Sequence, residues 1–211
     1  MPLRISPTYR AAWVPFRDAM ARDAAAGLAI AWTEQRSAES GSRSLLVTND
    51  KVTVTVNHRL LDFARHHAAA TPRMSGGGSW GVPVVAYCPD LPALHLAVQR
   101  AHGAALCVVE GTAGQLAGWA SVAAPVDLTN PDAEPVAADE GWLEAVASLA
   151  SDEHGLLASP DHTLAVLAGI APERRDLLPS ALLAHGVSLH HVRRVVKLSD
   201  ALEPSRATTR G

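Results

Sequence analysis

The chain has 211 residues, 48% hydrophobic and 18% charged, a balance that excludes both a disordered and a membrane-embedded protein. That length allows one domain, or one domain with a small appendage, and a sizeable buried core. Lys+Arg total 18 against 21 Asp+Glu, a formal charge of -3, so only a local basic patch could argue for nucleic acid.

Nearly all the basic residues are arginine and alanine is abundant, the composition of a GC-rich bacterial genome. The opening segment carries Arg4 and Arg10 but no uninterrupted apolar stretch, so no secretory signal is expected. Nothing approaches the run of about 18 apolar residues that would span a bilayer. A cytoplasmic protein with no membrane contact is the expectation. Cys88 and Cys107 both fall in apolar runs, where buried free thiols are favoured over a disulfide.

Trp13, Phe16, Met20 and Ala24 recur at three- and four-residue spacing, which predicts an amphipathic helix over residues 9 to 29. The polar run from Thr33 to Ser44 reads as a connector. Residues 44 to 50 read as a short strand stopped by Asn49-Asp50. Val52, Val54 and Val56 alternate with threonines, the period of a strand wet on one face. The two strands could pair as a hairpin around Asn49-Asp50. Asn57 then caps a helix running to about Ala70, with Leu60, Leu61, Ala64 and Ala68 inward.

Residues 83 to 110 carry the clearest pattern, a strand, a helix and a strand in the length of one parallel crossover unit. Asp90 is placed as the helix N-cap and Pro92 lies in the first turn, where its missing N–H costs nothing. Leu91, Leu94, Val98 and Ala101 form the expected buried stripe, and Gly103 ends the helix. Residues 105 to 109 are apolar throughout, as a parallel strand covered on both faces should be.

A short helix over 113 to 121 and a last strand in residues 124 to 129 follow. From Asp139 only helices are expected, over 140 to 151, 160 to 170, 173 to 185 and 188 to 201, the second opening with Ser159 as cap and Pro160. The fold class is therefore α/β, a mixed, mainly parallel sheet of four or five strands flanked by helices. An α/β domain would cover 1–138, a helical C-terminal subdomain 139–204 and a disordered tail 205–211.

Gly76 to Gly81 satisfies both G-x-G-x-x-G and G-x-S-x-G, the second through Gly77, Ser79 and Gly81. A dinucleotide site or a nucleophile elbow needs the motif after a strand and before a helix, and here the order is reversed. The segment reads as a flexible loop anchored by Trp80, and Ser79 as no nucleophile. No cofactor is implied. Val108-Val109-Glu110-Gly111 resembles the strand-end glutamate and glycine of Toprim nuclease and primase domains. That family's next acidic position falls near Gly114 and no D-x-D follows, so its metal site is lacking. Of the ten histidines none are four apart, and His66-His67 and His190-His191 are adjacent pairs pointing apart on helices, so no metal site is expected.

Near the C-terminus a helix ends at Gly186, Ser188 caps the next, and Val192, Val195 and Val196 face back toward the first. Residues 177 to 198 resemble the helix-turn-helix of DNA-binding regulators, with Gly186, Val187 and Ser188 matching its turn and Val192 and Val195 the apolar positions of its second helix. The resemblance implies that a recognition helix exposes Leu189, His190, Arg193, Arg194 and Lys197, with Ser188 at its groove-facing start. Leu182 stands where the family has a small residue, and Pro179 lies early in the first helix; both depart from the pattern.

Three functions are compatible with these residues. One is a DNA-binding or regulatory protein that uses the C-terminal helices. Another is a small-molecule enzyme, hydrolase or transferase, with a site where the strands end. That site would draw on Asn49, Asp90, Glu110 and Thr112, with Trp80 as a loop contact. The third is an interaction module that binds a protein partner or a second copy without catalysis.

Overall fold

The computed structural model describes residues 7–74, 79–134, 138–151 and 160–202. Its centre is one six-stranded sheet: β1 (Arg10–Val14), β2 (Leu45–Val47), β3 (Ala68–Ala70), β4 (Val84–Tyr87), β5 (Ala105–Val109) and β6 (Val126–Asp127). The spatial order is β3-β2-β4-β5-β1-β6 and every pairing is parallel, so the expected four or five strands become six. Parallel pairing forces each connection across a face of the sheet, and both faces are covered.

The first covering layer is α1 (Arg22–Ser40), α2 (Lys51–Val56) and α3 (His58–His66). Ala26, Ala29, Leu60 and Phe63 bury Ala12, Val14, Leu46, Val85, Tyr87, Cys107 and Val109. The opposite layer holds α4 (Leu91–Arg100), α5 (Ala117–Ala123), α6 (Glu140–Ser151), α7 (Pro160–Gly169), α8 (Pro172–Arg175), α9 (Leu178–Ala184) and α10 (Leu189–Leu202). Leu45, Val47, Val84, Ala86, Leu106 and Val108 share one apolar core with α4, α5, α6, α7, α9 and α10. Residue 139 thus marks a change of element type, and the helices beyond it pack into the core of the sheet.

Several expectations are corrected. Residues 9 to 29 are not one helix: Arg10–Val14 is β1, and α1 starts only at Arg22. Pro15 cannot donate a ladder bond, a turn closes from Met20 N–H to Arg17 O, and the helical spacing of Trp13, Phe16 and Met20 is coincidence. The supposed connector from Thr33 is instead the second half of α1, which runs to Ser40 and stops at Gly41 with φ +65°. Its polar residues form the wet face of a helix whose Ala26, Ala29 and Thr33 are buried.

Lys51 to Val56 is helix, not strand, and no hairpin forms at Asn49-Asp50. The Asp50 carboxylate accepts the Thr53 N–H at 2.8 Å and fixes a helical turn, while β2 pairs with β3 and β4. Asn57 caps α3, accepting from Arg59 and Leu60 N–H at 3.1 Å, but the helix ends at His66 and Ala68–Ala70 is a strand. In α4 the cap is as expected, Asp90 accepting the Ala93 N–H at 2.9 Å, whereas Leu91 lies at the surface. The expected helix over 173 to 185 is divided into α8 and α9 around Asp176 and Leu177. Cys107 is buried and Cys88 half-buried, and both are free. Ser159, residues 76 to 78 and the tail from 205 lie outside the described residues.

In the opposite layer α5 and α9 cross in intimate contact at Gly118. A Cβ built on Gly118 would stand 2.0 Å from Leu177 O and 2.6 Å from Ser180 Oγ, so only glycine permits it. The Trp119 N–H donates to Ser180 Oγ at 3.2 Å, the Trp119 indole to Tyr9 Oη at 3.0 Å, and Tyr9 in turn to Ala184 O at 3.1 Å. Burial holds the Tyr9 phenol far above its ordinary pKa, so it stays a neutral donor. We expect Gly118→Ala to cost about 3 kcal/mol or more in chemical denaturation, because backbone must move to admit the methyl group.

Candidate functional site

In open parallel sheets ligands gather beyond the carboxyl ends of the strands, where neighbouring strands send their chains to opposite faces. Among the four central strands this happens at two places. β2 leads into α2 and α3 while β4 leads into α4 on the other face; β1 leads into α1 while β5 leads into α5 on the other face.

A polar side chain occupies each crevice. Between β2 and β4, the Asn49 carboxamide donates to Cys88 O at 3.0 Å and accepts the Asp90 N–H at 2.8 Å. Between β5 and β1, the buried Glu110 carboxylate accepts the Phe16 N–H at 2.9 Å and the Leu116 N–H at 3.0 Å. Each side chain makes two hydrogen bonds to loop backbone and so ties together loops that would otherwise splay apart. Glu110 therefore has the local duty that its strand-end position did not reveal.

Beside Glu110 lies a cavity of about 40 Å³, with Phe16, Arg17, Arg22, Tyr87, Cys88 and Glu110 in its wall. That is room for a few water molecules and no more. Cys88 turns the chain from β4 toward α4 with φ +46°, a conformation that a non-glycine residue adopts at some cost. Gly111 lies close against this turn, where a Cβ would stand 3.1 Å from that of Cys88. Burial raises the Cys88 thiol, more than the Arg22 charge and the Tyr87 hydrogen bond lower it, so the group rests as a thiol.

The other expected residues are dispersed. Asp90 is held by its cap and by Asn49, close to the cavity but outside its wall. Thr112 donates to Gln115 Oε1 at 3.4 Å, and Gln115 donates to Pro89 O at 3.0 Å. Trp80 is at the opposite edge of the sheet, before β4, its exposed ring over the Arg100 guanidinium at 4.5 Å. Ser79 is exposed in the segment that precedes β4. A wider recess of about 190 Å³ at that edge is lined by Arg10, Arg36, Glu39 and Pro83, with Arg36 already paired to Glu39 at 2.7 Å. Sequence reasoning did not find Cys88, Arg22 and Tyr87 as neighbours, because a sheet register and a helix crossing bring them together.

The C-terminal residues are arranged as one face. Gly186 takes φ +78°, which reverses the chain between α9 and α10. The Ser188 hydroxyl accepts the His191 N–H at 3.2 Å and caps α10. Val192, Val195 and Ser199 are buried, as is His191, whose Nε2 meets Leu149 O at 2.9 Å. His190, Arg193, Arg194 and Lys197 stand exposed on the other side, three and four residues apart. Among the described residues no ion pair joins these four, and Asp200 bounds the strip one turn on.

Among the described residues, no group of His, Cys, Asp or Glu is placed to hold a metal ion, and no helix is long and apolar enough to cross a membrane. Comparison with family models, with curated proteins and with solved structures finds no match to this chain.

Two measurements check the carboxyl edge. Glu110→Ala leaves the buried Leu116 N–H and the part-buried Phe16 N–H without an acceptor and should cost about 1–3 kcal/mol of stability in urea. In the native protein an alkylating reagent should modify Cys88 and spare Cys107. Because its folded pKa is raised, the Cys88 rate should climb to a midpoint at higher pH than that of a free thiol; a midpoint below it would contradict the burial argument.

Proposed function

We propose that this chain is a nucleic-acid-binding protein of regulatory type, with α9, the Gly186 turn and α10 as the contact unit. One observation carries the reading. Arg193, Arg194 and Lys197, with His190 beside them, share an exposed stripe on α10 that no ion pair joins among the described residues, while the opposite face of that helix is fixed in the core. A helix held in this way presents its cations without the entropy cost of ordering the backbone on binding. Phosphate contacts draw on such a row of exposed cations, and counterion release makes them salt-dependent.

Physics supports the assignment of parts. Arg193, Arg194 and Lys197 would meet backbone phosphates, and His190 and the Ser188 end of the helix would lie nearest the bases, as in helix-turn-helix proteins. The overall charge of -3 keeps the attraction local to this face. The carboxyl edge supports an enzyme less well. Its cavity is water-sized, and Glu110 and Asn49 are already committed to backbone partners.

The test is fluorescence anisotropy with a labelled DNA duplex at low salt. Arg193→Ala with Arg194→Ala should weaken binding and reduce the slope of log K against log salt by about 2, one lost contact each. Thermal melting should be nearly unchanged, since both side chains are exposed. Absent binding by the unaltered protein at low salt, or an unchanged slope in the variant, would overturn the proposal.

A further inference from the structure

The segment from Thr48 to Val56 joins two features that are rarely adjacent. Its first part fills the crevice between β2 and β4, and its second part is a helix with little reason to be one. In α2 the residues Val52 to Val56 are β-branched without interruption, and each loses rotamer freedom against the preceding turn. None of the six residues of α2 is buried, and Val52 and Val56 are 65% and 77% exposed. The helix is anchored at its start by Asp50, which accepts both the amide and the hydroxyl of Thr53 at 2.8 and 3.0 Å. Tertiary packing is what stabilises most helices, and here it is limited to α3 and the half-buried Val54.

Asn49 and Asp50 couple the two parts. The Thr48 hydroxyl donates to Asp50 O at 2.7 Å, so the cap residue of α2 and the plug residue share one tight turn. Asn49 then holds Cys88 O and the Asp90 N–H with the two ends of its carboxamide. Unwinding α2 releases Asp50, loosens that turn and frees Asn49 to withdraw. Neighbouring α3 need not follow, because the Asn57 side chain, at the junction of the two helices, bonds forward to Arg59 and Leu60, and Leu60 and Phe63 bury α3.

We propose that Thr48–Val56 is a gate over the crevice between β2 and β4, closed by the Asn49 carboxamide and opened by local unwinding of α2. In the open state the crevice presents the Cys88 carbonyl and the Asp90 N–H side by side, an acceptor and a donor spaced for a carboxamide. Asn49 is in that sense an intramolecular occupant. Such a gate belongs to the sheet and operates whether or not α10 binds DNA.

Site-resolved hydrogen exchange on the full-length protein tests this, because the Asp90 amide has Asn49 Oδ1 as its acceptor. Asp90 should exchange in the same opening as Thr55 and Val56, while Leu94, bonded to Asp90 O within α4, stays protected. Val52→Ala with Val56→Ala raises helix propensity at two exposed sites. It should slow exchange at Asp90 roughly fivefold, in step with Thr55 and Val56. Asn49→Ala removes bonds that the opening breaks, so it should speed exchange at Asp90 and, through the shared opening, at Thr55 and Val56 as well. An Asp90 rate indifferent to the Val52 and Val56 substitutions, or one that follows Leu94, would overturn the gate.

Discussion

The placement of the C-terminal helices depends on one steric constraint, the absence of a side chain at Gly118. With no Cβ there, α9 lies against α5 close enough for the Leu177 carbonyl to occupy the methyl's position. That approach brings the Ser180 hydroxyl to the Trp119 amide, and the Tyr9 hydroxyl to both the Trp119 indole and Ala184 O. The start of β1, α5 and α9 are thereby tied through neutral hydrogen bonds in an apolar setting, where an unpaired partner is costly. α10 inherits its position from α9, and so does the basic stripe it displays.

The carboxyl edge of the sheet follows a different logic. Where neighbouring chains leave for opposite faces, a crevice opens and backbone N–H groups lose their ladder partners. Glu110 meets this need between β5 and β1, and Asn49 between β2 and β4. Each closes with a side chain what the topology would leave open. The cost of a buried carboxylate is offset because both its oxygens accept charge-assisted bonds from the backbone. A residue type associated with catalysis thus has a structural duty here, while Cys88 is forced into a left-handed turn against Gly111.

Local chemistry alone made part of the molecule legible. The β4–α4–β5 unit follows from a short apolar run, an Asp90 cap, Pro92 in the first turn and a second apolar run, all signals contained within the segment. Asn57 and Asp90 are read as caps because a short polar side chain before a helix can reach the amides two or three residues on. The Gly186 turn and the exposed cations of α10 were visible for the same reason.

Only the tertiary structure decided the rest. Arg10–Val14 is a strand because β5 and β6 provide ladder partners on both sides, which the helical spacing of its apolar residues could not disclose. Ala68–Ala70 is a strand because β2 offers it an edge, although alanine favours helix. Lys51–Val56 has the alternation of a strand, yet both sides of the preceding β2 are taken by β3 and β4 and the Asp50 cap turns it into helix. The meeting of Glu110 with Phe16 and Leu116, and of Asn49 with Cys88 and Asp90, spans up to 94 residues of chain. Propensity and periodicity act over a few residues, whereas these contacts exist only once the crossovers have brought distant strand ends together.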